Sequence, residues 1–215
     1  MILLNMPLLQ LAIDVVNAER ALDIATLIAG YFDVLEAGTP LIKSAGIGIV
    51  KRLKEKFPRK LLFADLKIMD AGSLEASMAF DAGADIISVC GQASHETVKE
   101  AISEARRHGK KVIVDLIGAR DMIGLAEELR PLMPDYFCIH TGLDEQRKGR
   151  RPSEFLEEYA RRISHPYAIA GGIKPEDIKE LIRFRPDIIV VGGYVTKAES
   201  PHEAARRLVE ALRGG

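Results

Sequence analysis

Short apolar runs recur along the whole chain, and they are nearly unbroken in Val, Ile, Leu and Phe rather than alternating with polar residues. Unbroken runs of this kind are typical of strands that are covered on both faces, as in a parallel sheet. We therefore predict eight parallel strands, at Leu9–Asp14, Phe32–Ala37, Lys60–Asp65, Asp85–Cys90, Lys111–Leu116, Asp135–His140, Tyr167–Ala170 and Asp187–Val191.

The segments between these runs have the amphipathic pattern and the end signals of helices. We expect one helix over Ala18–Ala29, which follows the capping residue Asn17, and another over Glu96–His108, which ends before Gly109. The last helix begins at Ser200-Pro201-His202-Glu203, a capping-box pattern with proline at the first helical position. About eight helices therefore alternate with the eight strands.

The repetition of strand and helix predicts the fold class. The 215 residues give about 27 residues to each of eight units, which is enough for a compact strand–helix pair. We predict an α/β fold, a (β/α)8 TIM barrel that forms a single domain over residues 1–215. The alternative is an open doubly wound sheet, but Asp14-Val15-Val16-Asn17 stands where that fold has its glycine-rich turn.

Composition and charge narrow the class of partner. A net charge of −1 argues against a broad nucleic-acid or membrane-surface footprint, and no apolar run approaches the roughly 18 residues of a membrane span. Met1–Pro7 lacks the features of a signal peptide, so none is expected. Cys90 and Cys138 lie inside apolar runs and are expected to be reduced core residues. These features predict a cytoplasmic protein.

Candidate chemistry collects where the predicted strands end, which is where barrels of this kind place their active sites. Five strand ends carry ionisable groups, namely Asp14, Glu36, Asp65 with Lys67, Asp115 and His140. A single aspartate after a strand is often only a helix cap. The segment Asp65–Asp70 carries three charges within six residues and indicates function more strongly. We therefore predict an active site at the barrel mouth.

Two features of these strand ends indicate ligands. Glu36 and Asp65 stand on neighbouring strands and offer the oxygen ligands that Mg²⁺ prefers. Zinc is disfavoured, because only His140 lies at a strand end and no Cys/His spacing motif exists. Gly171-Gly172 and Gly192-Gly193 end the last two strands, where backbone N–H groups of barrels often hold a phosphate. Tight strand-to-helix packing is the alternative explanation for such glycines.

One further charged segment, Arg147–Arg151, contains four basic residues. It is either a mobile cover for a phosphorylated substrate or a solvated face, and the sequence leaves both interpretations open.

Four segments together resemble the 3-hexulose-6-phosphate synthases, a family within the orotidine 5′-monophosphate decarboxylase suprafamily. They are Ala12–Asp14, Glu36–Lys43, Asp65–Gly72 and His140–Gln146, and they occur in the family's order. Glu36 is selective, because the orotidylate decarboxylases carry lysine at that strand end. The run from His140 to Gln146 favours the synthases over the sister 3-keto-L-gulonate 6-phosphate decarboxylases. Tyr194 and the basic segment depart from the family pattern.

The resemblance implies an aldol condensation of formaldehyde with D-ribulose 5-phosphate, giving D-arabino-hex-3-ulose 6-phosphate, and its reversal. It implies that Glu36 and Asp65 bind Mg²⁺, for which Mn²⁺ can substitute, and that the metal stabilises an enediolate. Lys67 would add positive charge to that anion, with Asp14 and Asp70 keeping it protonated.

The resemblance leaves the base that removes the C1 proton open. His140 is one candidate, and a carboxylate of Asp14 or Asp70 is the other. Asp115 is expected to contact substrate or metal-bound water. The physiological direction of the reaction also stays open.

The resemblance further implies a homodimer with shared active sites, in which Asp70 of one chain serves the barrel of the other. Two other functions remain as alternatives. The first is the sister decarboxylase activity, which shares the enediolate but releases CO₂. The second is a non-catalytic barrel that binds a phosphosugar, for which the glycine pairs alone would be enough.

Overall fold

In a computed structural model, which describes residues 6–214, eight parallel strands close into one barrel in sequential order. The predicted (β/α)8 TIM barrel is confirmed. The expectation of no signal peptide at Met1–Pro7 concerns residues that mostly lie outside the described part of the chain. The strands are β1 (Leu8–Ile13), β2 (Val34–Ala37), β3 (Leu61–Ile68), β4 (Ile86–Cys90), β5 (Lys111–Asp115), β6 (Tyr136–His140), β7 (Tyr167–Ala170) and β8 (Ile188–Val191).

Residues 6–214 contain eleven α-helices rather than about eight, because α2, α7 and α10 are additional short helices after β2, β6 and β8. No helix in this range is long and apolar enough to cross a membrane. The helices are α1 (Ala18–Ile28), α2 (Thr39–Ala45), α3 (Gly48–Lys56), α4 (Gly72–Asp81), α5 (His95–His108), α6 (Met122–Leu129), α7 (Leu143–Gln146), α8 (Leu156–Arg162), α9 (Pro175–Leu181), α10 (Gly193–Thr196) and α11 (Pro201–Arg213). Four short 3₁₀ segments lie at Ala29–Tyr31, Arg130–Leu132, Pro152–Phe155 and Ile182–Phe184.

The helix ends follow the sequence signals, with one exception. The side chains of Asn17 and Ser94 cap α1 and α5 by accepting backbone hydrogen bonds, as predicted. Ser200 likewise accepts from the backbone N–H of Glu203, at 3.3 Å. The capping box is nevertheless incomplete, because the Glu203 carboxylate accepts from Arg206 on the next turn instead.

The two faces of each strand have different neighbours. One face packs against the helices and forms the larger apolar cluster of the molecule. The other face points into the barrel, where a second cluster fills the lower layers. Because side chains alternate with a period of two, the residue two positions after each of five members of this inner cluster also points inward. These residues are Asp14 after Ala12, Glu36 after Val34, Asp65 after Phe63, Asp115 after Ile113 and His140 after Cys138.

Strand β3 is longer than its apolar run predicts. It continues three residues beyond Asp65, and its register against β4 shifts between Ala64 and Ile68. Within this irregularity Lys67 has a φ of +49°, which is uncommon for a residue with a side chain. Its backbone N–H donates to the Ser88 hydroxyl on β4 at 2.8 Å. Lys67 therefore lies in a hydrogen-bonded bulge, and not in a solvated turn.

At the other end of the barrel, one aspartate contact recurs before every second strand, and the apolar runs of the sequence did not reveal it. Every even-numbered strand is preceded directly by an aspartate, and three of these aspartates had been expected to begin a strand. Each Oδ2 accepts a hydrogen bond from a backbone N–H at the start of the preceding odd-numbered strand. The four bonds join Asp33 to Leu9, Asp85 to Leu62, Asp135 to Val112 and Asp187 to Tyr167, at 2.9–3.0 Å. The strand pairs are thus clamped at the end away from the predicted chemistry.

Candidate active site

A cavity of about 770 Å³ opens at the carboxyl ends of the strands. Ten of the eleven predicted site residues line it, namely Asp14, Glu36, Asp65, Lys67, Asp115, His140, Gly171, Gly172, Gly192 and Gly193. The eleventh, Asp70, is exposed outside the cavity of its own chain. The Asp70 carboxylate accepts from the backbone N–H of Ala71 at 2.8 Å.

Four of the cavity side chains form one continuous polar chain. The Lys67 ammonium lies 2.7 Å from Asp65 Oδ2 and 3.0 Å from Asp115 Oδ2. Asp115 Oδ2 lies in turn 2.9 Å from His140 Nδ1. Strands β3, β5 and β6 supply these groups, so the barrel brings together residues that are up to 75 positions apart in the sequence.

Lys67 is a cation in this arrangement. Burial alone would lower the pKa of its ammonium, but the carboxylates of Asp115 and Asp65 outweigh that effect and raise the pKa well above its ordinary value. The expectation that Asp14 and Asp70 keep Lys67 protonated stays a prediction, and Asp65 and Asp115 are the carboxylates in direct contact with its ammonium.

Asp115 contacts three protein groups, and the expectation that it also contacts substrate or metal-bound water stays a prediction. Its Oδ1 accepts from the backbone N–H of Ile117 at 3.0 Å, and its Oδ2 is shared by Lys67 and His140. Burial would raise the pKa of Asp115, but His140 and Lys67 outweigh it and hold the pKa well below its usual range. An ionised carboxylate only accepts hydrogen bonds, so His140 Nδ1 must be the donor. In the neutral form of the ring, Nε2 is then the free acceptor.

Two hydroxyl groups that the sequence did not single out hold Asp65. Ser88 donates to Asp65 Oδ1 at 2.7 Å, and Thr39 donates to Oδ2 at 2.7 Å. Ser88 also receives the backbone N–H of Lys67, so one side chain orients both neighbours. The only feature of the sequence that could have indicated Ser88 is its position as the polar residue within the apolar strand β4.

The donor set around Glu36 fits a hard divalent cation. Glu36 is buried, and burial together with the carboxylates of Asp65 and Asp14 raises its pKa well above the ordinary value. Burial and Asp65 also raise the pKa of Asp14. Gln10 donates to Glu36 Oε2 at 2.6 Å, while the buried Oε1 of Gln10 has no partner. A cluster of carboxylate and amide oxygens with surplus negative charge is what Mg²⁺ requires.

The glycine pairs follow β7 and β8 and line the cavity beside β1. Gly171 and Gly172 have φ values of +123° and +67°, and a Cβ at Gly171 would lie 2.5 Å from the Thr141 carbonyl oxygen. A side chain is therefore excluded at Gly171. The backbone at Gly192 lies close to the Asp14 carboxylate, since a Cβ added at Gly192 would be 3.5 Å from Asp14 Oδ2.

Two cations that line the same cavity escaped the sequence analysis. Arg20 in the first turn of α1 and Lys197 after α10 both line the cavity. The aliphatic part of Lys197 packs beside Gly193, with its Cε 3.9 Å from the position of an added Cβ. Neither residue lies at a strand end, and a basic residue in a loop is usually a solvated one. The closure of β1 against β8 places the loops that carry them at the same cavity.

The remaining sequence features lie away from the cavity. The basic segment Arg147–Arg151 forms ion pairs with the nearby acids Asp144, Glu145 and Asp177. None of its residues lines the cavity, which favours the solvated-face interpretation. Tyr194 packs against the larger apolar cluster. Cys90 and Cys138 are buried and free, as expected.

Comparisons with known proteins agree with one another. Residues 7–208 match the model of the orotidine 5′-phosphate decarboxylase / HUMPS family. A 3-hexulose-6-phosphate synthase of Bacillus subtilis is 41% identical over 208 residues, covering 96% of this chain and 99% of the relative. A crystal structure of 3-hexulose-6-phosphate synthase from Salmonella typhimurium has a TM-score of 0.93 at 34% identity, covering 96% of this chain and 99% of that one. For 3-keto-L-gulonate-6-phosphate decarboxylase from Vibrio cholerae the TM-score is 0.87 at 27% identity, with coverage of 98% and 99%.

Proposed function

This chain belongs to the orotidine 5′-phosphate decarboxylase / HUMPS family, and from that premise we propose that it is an aldehyde-lyase. It condenses formaldehyde with D-ribulose 5-phosphate to D-arabino-hex-3-ulose 6-phosphate, and catalyses the reverse reaction. The observation that carries the proposal is the polar chain from Asp65 through Lys67 and Asp115 to His140, which shares one cavity with Glu36.

The difficulty of this reaction is the weak acidity of C1 of the pentulose, beside the C2 ketone. His140 Nε2 takes the C1 proton, because Asp115 holds the other ring nitrogen as a donor. The bonding electrons move into an enediolate, whose negative charge faces the permanent cation Lys67. C1 then attacks the carbonyl carbon of formaldehyde, and the formaldehyde oxygen takes up a proton.

A divalent metal fits this scheme at Glu36 and Asp65. When bound, Mg²⁺ or Mn²⁺ supplies Lewis-acid polarisation of the ketone and hydroxyl oxygens. The protein residues prepare that site: Ser88 and Thr39 orient Asp65, and Gln10 orients Glu36. The raised pKa of Glu36 supports the assignment, since a nearby cation would keep this buried carboxylate ionised.

The phosphate of the substrate binds at the other side of the cavity. Backbone N–H groups around Gly171-Gly172 and Gly192-Gly193 hold it, and Lys197 and Arg20 supply positive charge. Two cations here, on elements other than those of Glu36, Asp65 and Lys67, give the substrate a single direction in the cavity. That direction brings its ketone end to Lys67.

Exchange of the C1 hydrogen of ribulose 5-phosphate in D₂O tests substrate, metal and enediolate together. Without formaldehyde, we expect exchange with Mg²⁺, loss of exchange after chelation, and recovery on adding Mg²⁺ or Mn²⁺. Binding of ribulose 5-phosphate without exchange would instead support a non-catalytic phosphosugar-binding barrel. Full exchange in metal-free protein would contradict the metal assignment alone.

A second assay separates the sister activity. Condensation of ribulose 5-phosphate with formaldehyde is compared with CO₂ release from 3-keto-L-gulonate 6-phosphate. We expect condensation to dominate, because the named synthases are more similar in sequence than the named decarboxylase. Dominant CO₂ release would overturn the proposal in favour of the decarboxylase.

We further propose that the chain works as a homodimer with shared active sites. Three exposed apolar side chains, Met69, Leu74 and Met78, surround the position of Asp70 in sequence. Leu74 and Met78 stand one turn apart on α4, so they share one helix face. A face of this kind supports a contact between copies that would carry Asp70 toward the partner's cavity.

The proposed location is the cytoplasm. Both thiols of the chain are free, which is the usual state of cysteines in a reducing compartment. A phosphorylated sugar substrate supports the same compartment. Fractionation of cells with an antibody against the chain tests this location.

A further inference from the structure

Cys138 is a buried thiol in the cavity that the proposed reaction does not use. It stands on β6 directly opposite Asp115 on β5, and two residues before His140 on the same strand face. One ligand atom from each of Asp115, Cys138 and His140 lies within 4.8 Å of the other two. We infer that these three residues form a second metal site, which takes a borderline cation such as Zn²⁺ and inhibits the enzyme when occupied.

The donor types select the metal. A carboxylate oxygen, a thiolate and an imidazole nitrogen form a three-ligand set of the kind that binds zinc and leaves a fourth position for water or substrate. A thiolate favours Zn²⁺ and Co²⁺, whereas Mg²⁺ prefers oxygen ligands alone. The set is therefore distinct in chemistry from the carboxylate cluster of Glu36 and Asp65.

The set is also distinct in position. Glu36 and Asp65 lie on β2 and β3, whereas the three new ligands lie on β5 and β6. Lys67 stands between the two groups, since its ammonium contacts both Asp65 and Asp115. The cavity gives ions access, because Asp115, Cys138 and His140 all line it.

Occupation of this site removes groups that the proposed reaction needs. Metal coordination would engage the imidazole of His140 and draw Asp115 away from Lys67. The base could then no longer accept the C1 proton. Zn²⁺ is therefore expected to inhibit even when Mg²⁺ saturates the oxygen site.

Spectroscopy of Co²⁺ tests the site without reference to the proposed activity. Protein in excess Mg²⁺ is titrated with Co²⁺, and absorption from thiolate-to-cobalt charge transfer is recorded. We expect one equivalent to produce this band in the unmodified chain. The band should be lost in Cys138→Ser and retained in Cys90→Ser, a matched control because Cys90 is an equally buried free thiol on β4. Absence of the band in the unmodified chain, or its persistence in Cys138→Ser, would overturn the inference.

Calorimetric titration with Zn²⁺ in the same excess of Mg²⁺ gives the affinity. Loss of one ligand should weaken binding by more than about tenfold in Cys138→Ser, with little change in Cys90→Ser. In the C1 exchange assay, each variant is compared with its own zinc-free rate, and only Cys138→Ser should resist Zn²⁺. Equal binding by both variants would refute the site. Tight binding through Cys138 without C1 exchange in any condition would refute the proposed reaction and leave the site standing.

Discussion

Lys67 illustrates how one backbone angle can decide the chemistry of a site. Its φ of +49° is strained for a residue with a Cβ, and the bulge that holds it depends on the hydroxyl of Ser88. Within this register shift the Lys67 ammonium lies between the carboxylates of Asp65 and Asp115. The cation of the proposed site thus lies in a local irregularity of β3 and is kept charged by two carboxylates.

The phosphate end gives a prediction for Lys197. Lys197→Ala should raise KM for ribulose 5-phosphate by about 10- to 100-fold, because a hydrogen bond to a charged group contributes about 1.5–3 kcal/mol. The rate at saturation should change little, since Lys197 packs beside Gly193 and is not part of the polar chain of Lys67 and His140. Steady-state kinetics of the condensation measures both constants.

Lys179 on α9 supplies the matched control for this prediction. It is an exposed lysine that does not line the cavity, so Lys179→Ala should leave KM unchanged. A fall in kcat of about 10- to 100-fold with unchanged KM in Lys197→Ala would place the residue near the reacting carbon instead. An unchanged KM and kcat would remove Lys197 from the phosphate site.

At the scale of single residues, sequence reasoning found the ionisable residues at the strand ends but not which of them contact each other. Asp14, Glu36, Asp115 and His140 could be found because each follows an apolar run at the inward-facing parity. Their partners depend on the stagger between strands, which the sequence does not express. For the same reason the set of Asp115, Cys138 and His140 has no spacing motif, although its ligand atoms are neighbours.

At the scale of elements, the clearest regularity is the aspartate before every even-numbered strand. Each aspartate satisfies a backbone N–H at the start of the preceding strand, a group that would otherwise need water. Asp85 does more than the others, because it also accepts from Lys54 and Lys110 at 2.6 Å each. The Asp85 carboxylate thus joins strands β3 and β4 to helix α3 and to the loop before β5.

This clamp predicts a pH-dependent stability. Burial would raise the pKa of Asp85, but hydrogen bonds from Lys110, Lys54 and the Leu62 N–H outweigh it and lower the pKa below the ordinary 3.8. A carboxyl whose folded pKa is lowered stabilises the fold above its unfolded pKa and loses that effect as pH falls through the folded pKa. Asp85→Asn should therefore lower the free energy of unfolding by about 1–3 kcal/mol at neutral pH. The difference from the unmodified chain should shrink as the pH falls below 3.8 toward the lowered folded pKa.

Urea unfolding at several pH values measures this difference, with Asp33→Asn as control. Asp33 makes the same backbone contact, to Leu9, but is exposed. An asparagine oxygen can still accept that bond, so Asp33→Asn should have a smaller effect that does not depend on pH. Equal effects of the two substitutions at all pH values would show that the lysine contacts of Asp85 add nothing.

The elements themselves could be predicted because their apolar periods are strong. All eight strands lie within or beside the predicted runs. The errors concern the ends: β3 extends to Ile68 because Leu66 and Ile68 continue the strand across a polar stretch. The short helix α10 was missed because its four residues are too few for a periodic pattern.

At the scale of the whole molecule, the barrel separates stability from chemistry. The aspartate clamps lie at one end and the polar cavity lies at the other. One proposed functional residue, Asp70, belongs to neither, because it is exposed beside Met69 at the edge of the mouth. A second copy of the chain is the element that would join Asp70 to an active site.

Mixed dimers test this shared site. Lys67→Ala and Asp70→Asn are each expected to be nearly inactive alone. When both variants are unfolded, mixed and refolded, random pairing makes about half of the dimers mixed. In a mixed dimer, one cavity carries both lesions and the other carries neither. About a quarter of the activity of the unmodified enzyme should therefore return, as measured by condensation of ribulose 5-phosphate with formaldehyde.

The matched control mixes Lys67→Ala with Asp115→Asn. Lys67 and Asp115 contact each other within one barrel, so every cavity of that mixture keeps one lesion and no activity should return. Mass spectrometry of the intact dimers confirms that mixed species have formed in both experiments. If the mixture with Asp70→Asn then stays as inactive as the control, Asp70 does not act in the partner's cavity. If Asp70→Asn alone is fully active, Asp70 has no catalytic role in either chain. Its exposed carboxylate would then serve only to accept the backbone N–H of Ala71.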